Sequence, residues 1–155
     1  MITIRTATTD DAQRISALLN SLSCTYFKSP TPAEAEAFLA TLSEEAIRAL
    51  VSRNDTEYVV AEAAEGSALA GAAGMRSDGT LVHLFVDPKY QRKGLGRRMW
   101  ELLRDGALAR GHLGPFTVHS SLLAVPVYER FGFQVSGPPV EKNGGVSVPM
   151  ACTKL

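Results

Sequence analysis

The segment from residue 81 to residue 111 constrains this chain more than any other. Leu81-Val82-His83-Leu84-Phe85-Val86 runs almost without polar interruption into Asp87-Pro88. A nearly continuous apolar run of that length reads as a central strand, and Pro88 ends it. The next ten residues, Lys89-Tyr90-Gln91-Arg92-Lys93-Gly94-Leu95-Gly96-Arg97-Arg98, carry five basic side chains. A long helix is predicted after Gly94, with Leu95, Met99, Leu102, Leu103 and Gly106 on one face and Gly111 as its stop. Such a turn is built as an anion site. Glycines admit a ligand close to the backbone, helix-start amides point at it, and the helix dipole favours negative charge there. Glycine pairs and basic runs also serve plain turns and solvated faces, so the turn alone leaves both readings open.

The basic turn is local. Sixteen Lys and Arg balance sixteen Asp and Glu, so no overall field draws the protein onto nucleic acid or an acidic membrane. Cys24 and Cys152 lack the spacing of a zinc or CxxC site, no metal is expected, and a reducing compartment fits them. No signal-like N-terminus and no spanning apolar window is found, so the expected location is cytoplasmic. Two nucleotide sites fail on detail. No Gly-Lys-Ser/Thr makes a P-loop, and Met99 stands where a dinucleotide fingerprint has its third glycine or alanine.

Other elements are legible around this segment. Ile2 and Ile4 alternate in a first strand, and Asp10 with Gln13 reads as the capping box of a helix buried through Ala12, Ile15, Leu18, Leu19 and Leu22. Thr31, Pro32 and Glu34 read as the start of a second helix with Phe38, Leu39, Leu42, Ile47 and Leu50 as its buried stripe. Tyr58–Ala61 and Leu69–Met75 form a hairpin turning at Glu65-Gly66-Ser67, and Phe116–Val118 is a fifth strand. Pro126 places the last helix start at Leu122 or later, with its end at Phe131-Gly132. Gln134–Ser136 and Val146–Met150 are final strands joined by the loop Gly137 to Gly145.

Gln91-Arg92-Lys93-Gly94-Leu95-Gly96 matches the acetyl-CoA signature of the GNAT N-acetyltransferase superfamily, Gln/Arg-x-x-Gly-x-Gly/Ala. Ser120-Ser121-Leu122-Leu123-Ala124-Val125-Pro126-Val127-Tyr128-Glu129-Arg130-Phe131-Gly132-Phe133 resembles that family's second block. With the order of elements, the resemblance covers most of the chain. It implies one domain over residues 1–155, of the α/β (α+β) class, with a mixed, splayed sheet of about seven strands flanked by about four helices. It further implies an enzyme that passes an acetyl group directly from acetyl-CoA, a cosubstrate, to an amine.

By the same resemblance, main-chain amides from Gln91 through Arg92, Lys93, Gly94, Leu95 and Gly96 to Arg97 hold the pyrophosphate. Backbone at Leu84, Phe85 and Val86 pairs with pantetheine, and a strand amide near Phe85 or Val86 polarises the carbonyl. His119 departs from pattern, since relatives commonly have Asn there to position cofactor or substrate. Tyr128 matches the tyrosine that protonates the leaving sulfur, although Ala124 and Phe131 at helical spacing also suit a packed aromatic.

His83 is the one ionisable side chain in its strand, a candidate base or water relay beside the plainer reading of a packed core histidine. Glu57 and Glu62, near the ends of an earlier strand, are expected to be exposed. The acceptor site is expected at Ser23 to Pro30, with Tyr26, Phe27 and Lys28, and at Val140 to Met150. The partners expected are an amine-bearing acceptor and, as an option, a second copy in a homodimer, with neither nucleic acid nor membrane. Two rival readings are a CoA-binding regulatory module without turnover and a partner-binding α/β domain decorated by the basic turn.

Overall fold

The computed structural model describes residues 2–22, 39–64, 68–142 and 145–153. Among these residues the order is β1 (Thr3–Thr6), α1 (Ala12–Ser21), α2 (Glu44–Val51), β2 (Thr56–Glu62), β3 (Leu69–Arg76), β4 (Thr80–Val86) and α3 (Leu95–Ala109). Then come β5 (Phe116–Ser120), α4 (Val125–Phe131), β6 (Gln134–Val135), β7 (Val140–Lys142) and β8 (Gly145–Cys152). The sheet runs β1-β2-β3-β4-β5-β8-β6, with β7 also on β8. Among the described strands only β4 and β5 pair in parallel, because α3 is the crossover between them.

Alternation along the strands sorts side chains to two apolar layers. Val59, Ala61, Ala73 and Met75 lie under α3, covered by Leu95, Met99, Trp100, Leu103 and Ala107. Tyr58, Val60, Ala72 and Phe85 lie under α1 and α2, against Ile15, Leu19 and Ile47. The α3 layer is closest at Gly71, where a Cβ would stand 2.8 Å from Met99 Cε and 3.0 Å from the Phe85 carbonyl oxygen. Trp100 packs edge-on to Phe116 at 5.2 Å and tilted against Phe133 at 4.9 Å, joining α3 to the second half of the sheet. Truncating such a side chain costs about 3–5 kcal/mol.

Several expectations change. The box before α1 is Thr8 with Asp11, not Asp10 with Gln13: Asp11 accepts the Thr8 amide at 2.8 Å. Arg5 and Arg14, at 2.8 and 2.6 Å, hold Asp11 in that place. The expected second helix does not run unbroken to Leu50. Residues 39–40 are helical, a turn follows, and α2 starts afresh where Ser43 Oγ accepts the Ala46 amide at 3.2 Å. That break leaves Leu39 exposed, while Leu42 and Ile47 stay buried. Thr31 to Phe38 and the turn Glu65-Gly66-Ser67 lie outside the described residues.

On α3, Leu102 is 47% exposed, and Trp100 with Ala107 supplies the apolar face in its place. The expected loop after Gly137 contains β7, whose pairing with β8 closes a hairpin. Neither acidic residue of β2 is free in water. Glu62 is buried between Arg5 and Arg14, both at 2.9 Å, and the half-buried Glu57 pairs with Arg110 at 2.8 Å.

Candidate active site

The site begins with an irregularity in β4. Gly74 of β3 lies opposite His83 and Met75 lies opposite Leu81, so Val82 is an extra residue, a β-bulge. One extra residue reverses the faces beyond it. Leu81 lies in the α3 layer, yet after the bulge Leu84 and Val86 pack there and Phe85 turns to the α1–α2 layer. Pairing of β4 with β5 stops at the same place. Thr80 lies opposite Thr117 and Leu81 opposite Val118, with no register beyond. Thr117 Oγ1 donates to Thr80 Oγ1 at 3.3 Å, closing the joined end. A bulge bends and twists its strand, so β4 leaves β5 at Val82 and a gap opens. This splay also explains why the apolar run is only half-buried over Val82 to Leu84.

Main-chain direction decides what faces the gap. Asp87 donates its amide to the Ala70 carbonyl in β3 at 2.8 Å. Main-chain groups in an antiparallel pair alternate sides, so those of Phe85 also face β3 and those of Leu84 and Val86 face the gap. Of the three strand residues expected to meet pantetheine, the structure thus turns the main chain of Leu84 and Val86 to the gap and that of Phe85 to β3.

The turn that follows is organised by its own side chains. Asp87 Oδ1 accepts the Lys89 amide at 2.9 Å, and Gln91 Nε2 donates to the Val86 carbonyl at 2.9 Å. Arg92 has φ +63° and Gly94 φ +80°, both left-handed. A Cβ at Gly94 would meet nothing within 4 Å, so glycine answers the backbone conformation there and leaves open space beside it. Gly94 is the N-cap of α3 and supplies no capping side chain. The first amides of a fifteen-residue helix therefore lack intrahelical partners, an arrangement that can hold an anion.

Of the basic side chains, Lys93 Nζ stands 5.9 Å from the Tyr90 ring centroid, and Arg92 is exposed. Arg97 is turned aside. It donates to the Arg130 carbonyl at 3.0 Å and lies over the Phe131 ring at 5.2 Å.

Tyr128 enters from α4, whose end is fixed by Gly132 at φ +104°. Phe133 donates its amide to the Tyr128 carbonyl at 3.0 Å, and Gly132 to that of Glu129 at 3.1 Å, a Schellman stop. The Tyr128 ring is 6% exposed, edge-on to Phe131 and Phe133, in the same apolar layer as Leu84 and Val86. Burial pushes its phenol well above the ordinary value, so it keeps its proton at neutral pH.

His83 belongs to the other face. Its Nδ1 lies 2.9 Å from the Tyr58 hydroxyl, and its ring is edge-on to Phe85 at 5.6 Å. Burial pushes the imidazole down to about 4, leaving it neutral at pH 7. His119 is exposed on β5, opposite Pro149 of β8 and alternating with the buried Phe116 and Val118.

The structure thus gathers Leu84, Val86 and Tyr128 in the α3 layer and places His83 on the opposite face of the same opening. The expected acceptor loop Ser23 to Pro30 lies outside the described residues, and the other acceptor segment is the β7–β8 hairpin. Tyr58 escaped the sequence reading: twenty-five residues from His83, it is joined to it only by strand register. Among the described residues no three His, Cys, Asp or Glu side chains gather as a metal site, and no helix is long and apolar enough to cross a membrane.

A family model described as an acetyltransferase (GNAT) domain matches residues 26–154. Solved structures repeat the fold. A PaiA N-acetyltransferase from Thermoplasma acidophilum in complex with coenzyme A superposes with TM-score 0.80 at 18% identity, covering 98% of each chain. A GNAT-family acetyltransferase from Streptococcus pneumoniae gives TM-score 0.70 at 21% identity, covering 97% of this chain and 98% of that one. No curated protein sequence matches the chain.

Proposed function

Because the chain belongs to the GNAT acetyltransferase family, we propose that it transfers an acetyl group from acetyl-CoA directly to the amine of a small molecule, peptide or protein. The observation that carries this is the opening of β4 from β5 beyond Leu81 and Val118, at the end where Gly94 starts α3 with uncapped amides. The residues fit such a donor. Amides from Gln91 to Arg97 and the space beside Gly94 suit a pyrophosphate, and the gap-facing main chain of Leu84 and Val86 suits the amides of a pantetheine arm. When bound, acetyl-CoA supplies the acetyl thioester.

The chain's own groups then divide the work by face. His83, neutral at pH 7, takes the proton that the amine loses as its nitrogen bonds to the acetyl carbon. The Val86 amide, turned into the gap, stabilises charge developing on the carbonyl oxygen. Tyr128 still holds its phenol proton at that pH and gives it to the sulfur as the carbon–sulfur bond breaks. An acid and a base on opposite sides of one opening allow acceptor and leaving group to approach and depart from different faces, as direct transfer requires.

Calorimetry with CoA tests the donor site. Binding that weakens with salt is expected, because Arg92 and Lys93 act through exposed contacts screened over about 8 Å at physiological ionic strength. No binding by folded protein would reject the reading. Mass spectrometry of an amine panel incubated with acetyl-CoA and protein tests transfer. Binding without acetylation or hydrolysis would point to a CoA-binding module.

A further inference from the structure

Tyr58, Gly74 and His83 stand opposite one another across β2, β3 and β4. Side chains in such a row project from one face, and adjacent strands are about 4.8 Å apart, so two outer residues meet only if the middle position is empty. Gly74 empties it. A Cβ there would stand 2.5 Å from Cδ2 and 2.8 Å from Cε2 of Tyr58, so the ring fills the space a side chain would take. Tyr58 is 2% exposed, which fixes the ring, and its hydroxyl reaches His83 Nδ1 at 2.9 Å. Phe85 lies edge-on to the imidazole at 5.6 Å, next to it on β4. The imidazole is held by groups that sequence order keeps far apart.

We propose that Tyr58 is the positioning residue of His83, accepting the Nδ1 hydrogen so that Nε2 is the nitrogen left to take a proton from the acceptor amine. The proposal rests on the acetyl-transfer reading above. A neutral imidazole carries one hydrogen, and the opposite arrangement, a phenol donating to Nδ1, would place that hydrogen on Nε2 and remove the lone pair the amine needs. A phenol oxygen can accept, and a row emptied by glycine orients it at one nitrogen. Burial keeps the ring neutral, so a lone pair exists at physiological pH.

The test uses the full chain labelled with nitrogen-15. Two-bond proton–nitrogen correlations without ligand should show His83 hydrogenated at Nδ1, and Tyr58→Phe should lose that fixed tautomer. Gly74→Ala, which displaces the ring but keeps the hydroxyl, should lose it too. In turnover with the best acceptor, Tyr58→Phe should lower kcat about tenfold while the KM for acetyl-CoA moves less than about twofold. In a His83→Gln background it should add nothing. A wild-type Nε2–H tautomer, or an equal loss from Tyr58→Phe with and without His83, would overturn the proposal. Absent CoA binding or acetyl transfer would reject the reading it rests on, and the ligand-free tautomer would still decide Tyr58's role.

Discussion

Tyr128 carries its hydroxyl on a ring that the core already needs, and substitution separates the two duties. Tyr128→Phe keeps the contacts with Phe131 and Phe133 and removes one polar group, so stability should change by less than about 1 kcal/mol. If the phenol protonates the leaving sulfur, turnover should fall about 10²-fold with acetyl-CoA affinity unchanged. A loss under about threefold, with chemistry limiting the rate, would leave Tyr128 as packing alone. Gly94→Glu poses the complementary question. Its left-handed φ makes any side chain cost about 1–2 kcal/mol, but nothing within 4 Å obstructs one, so the fold should survive. CoA binding should be abolished if the proposed donor site is right, because a carboxylate would occupy the place proposed for the phosphate. An intact circular dichroism spectrum with unchanged Kd would move the donor site elsewhere. Single residues were unevenly legible in the sequence. His83 stood out as an ionisable group in an apolar strand, whereas Tyr58 gave no signal, because its bond depends on Gly74 and on strand register.

Between elements, the link that matters most joins the first turn of α3 to the last turn of α4. Arg97 makes it with a hydrogen bond to the Arg130 carbonyl and its guanidinium laid on Phe131. Both partners lie in the last turn before the stop that sets Tyr128, so the turn leading into α3 and the helix that carries Tyr128 share one support. A planar guanidinium can bond and stack together, whereas an ammonium acts as a point charge. Arg97→Ala and Arg97→Lys should therefore cost similar stability, about 1 kcal/mol or roughly 2–4 °C in thermal unfolding. Full rescue by lysine would mean that charge alone, not the planar stacked fork, makes the link, and an unchanged midpoint in both variants would deny the clamp. Elements were most legible where glycine or proline punctuates them: β4 into α3, and α4 into Gly132. They were least legible where the deciding contact is distant. The stripe through Leu39 and Leu42 looked continuous because a fresh start at Ser43 does not break the apolar spacing. β7 was missed because three residues beside two prolines carry too little alternation, and only β8 makes them a strand.

For the whole molecule, a chain of zero net charge gains no stability from its overall field, so its response to acid must come from particular groups. The parting of β4 from β5 follows the splayed sheet that the motif resemblance implies, whereas the bulge at Val82 and the lowered pKa of His83 are consequences of assembly that no local pattern announced. His83 should dominate in one pH range, and in a lower one Asp11 together with Glu62, which shares Arg5 and Arg14 with it. His83 is held at about 4 against an ordinary 6.5. Below pH 6.5 the unfolded chain binds a proton there that the native chain refuses, so stability should fall between about pH 6.5 and 4, by at most about 1.4 kcal/mol per pH unit. Asp11 acts in the same sense, at lower pH. Hydrogen bonding from Arg5 holds its carboxyl well below the ordinary 3.8, aided by Thr8 and Arg14. Its contribution is complete above about pH 4 and is lost as pH falls further through the native value. Denaturant unfolding across pH 3 to 8 should show both declines in sequence. His83→Gln should flatten the first and spare the second. Asp11→Asn should lower stability at pH 7 by about 1–3 kcal/mol, because Arg5 and Arg14 lose a buried carboxylate, and should reduce the decline below pH 4 while sparing the first. A first decline that persists in His83→Gln would mean that the fold does not hold this imidazole below its ordinary value and that another group carries the loss.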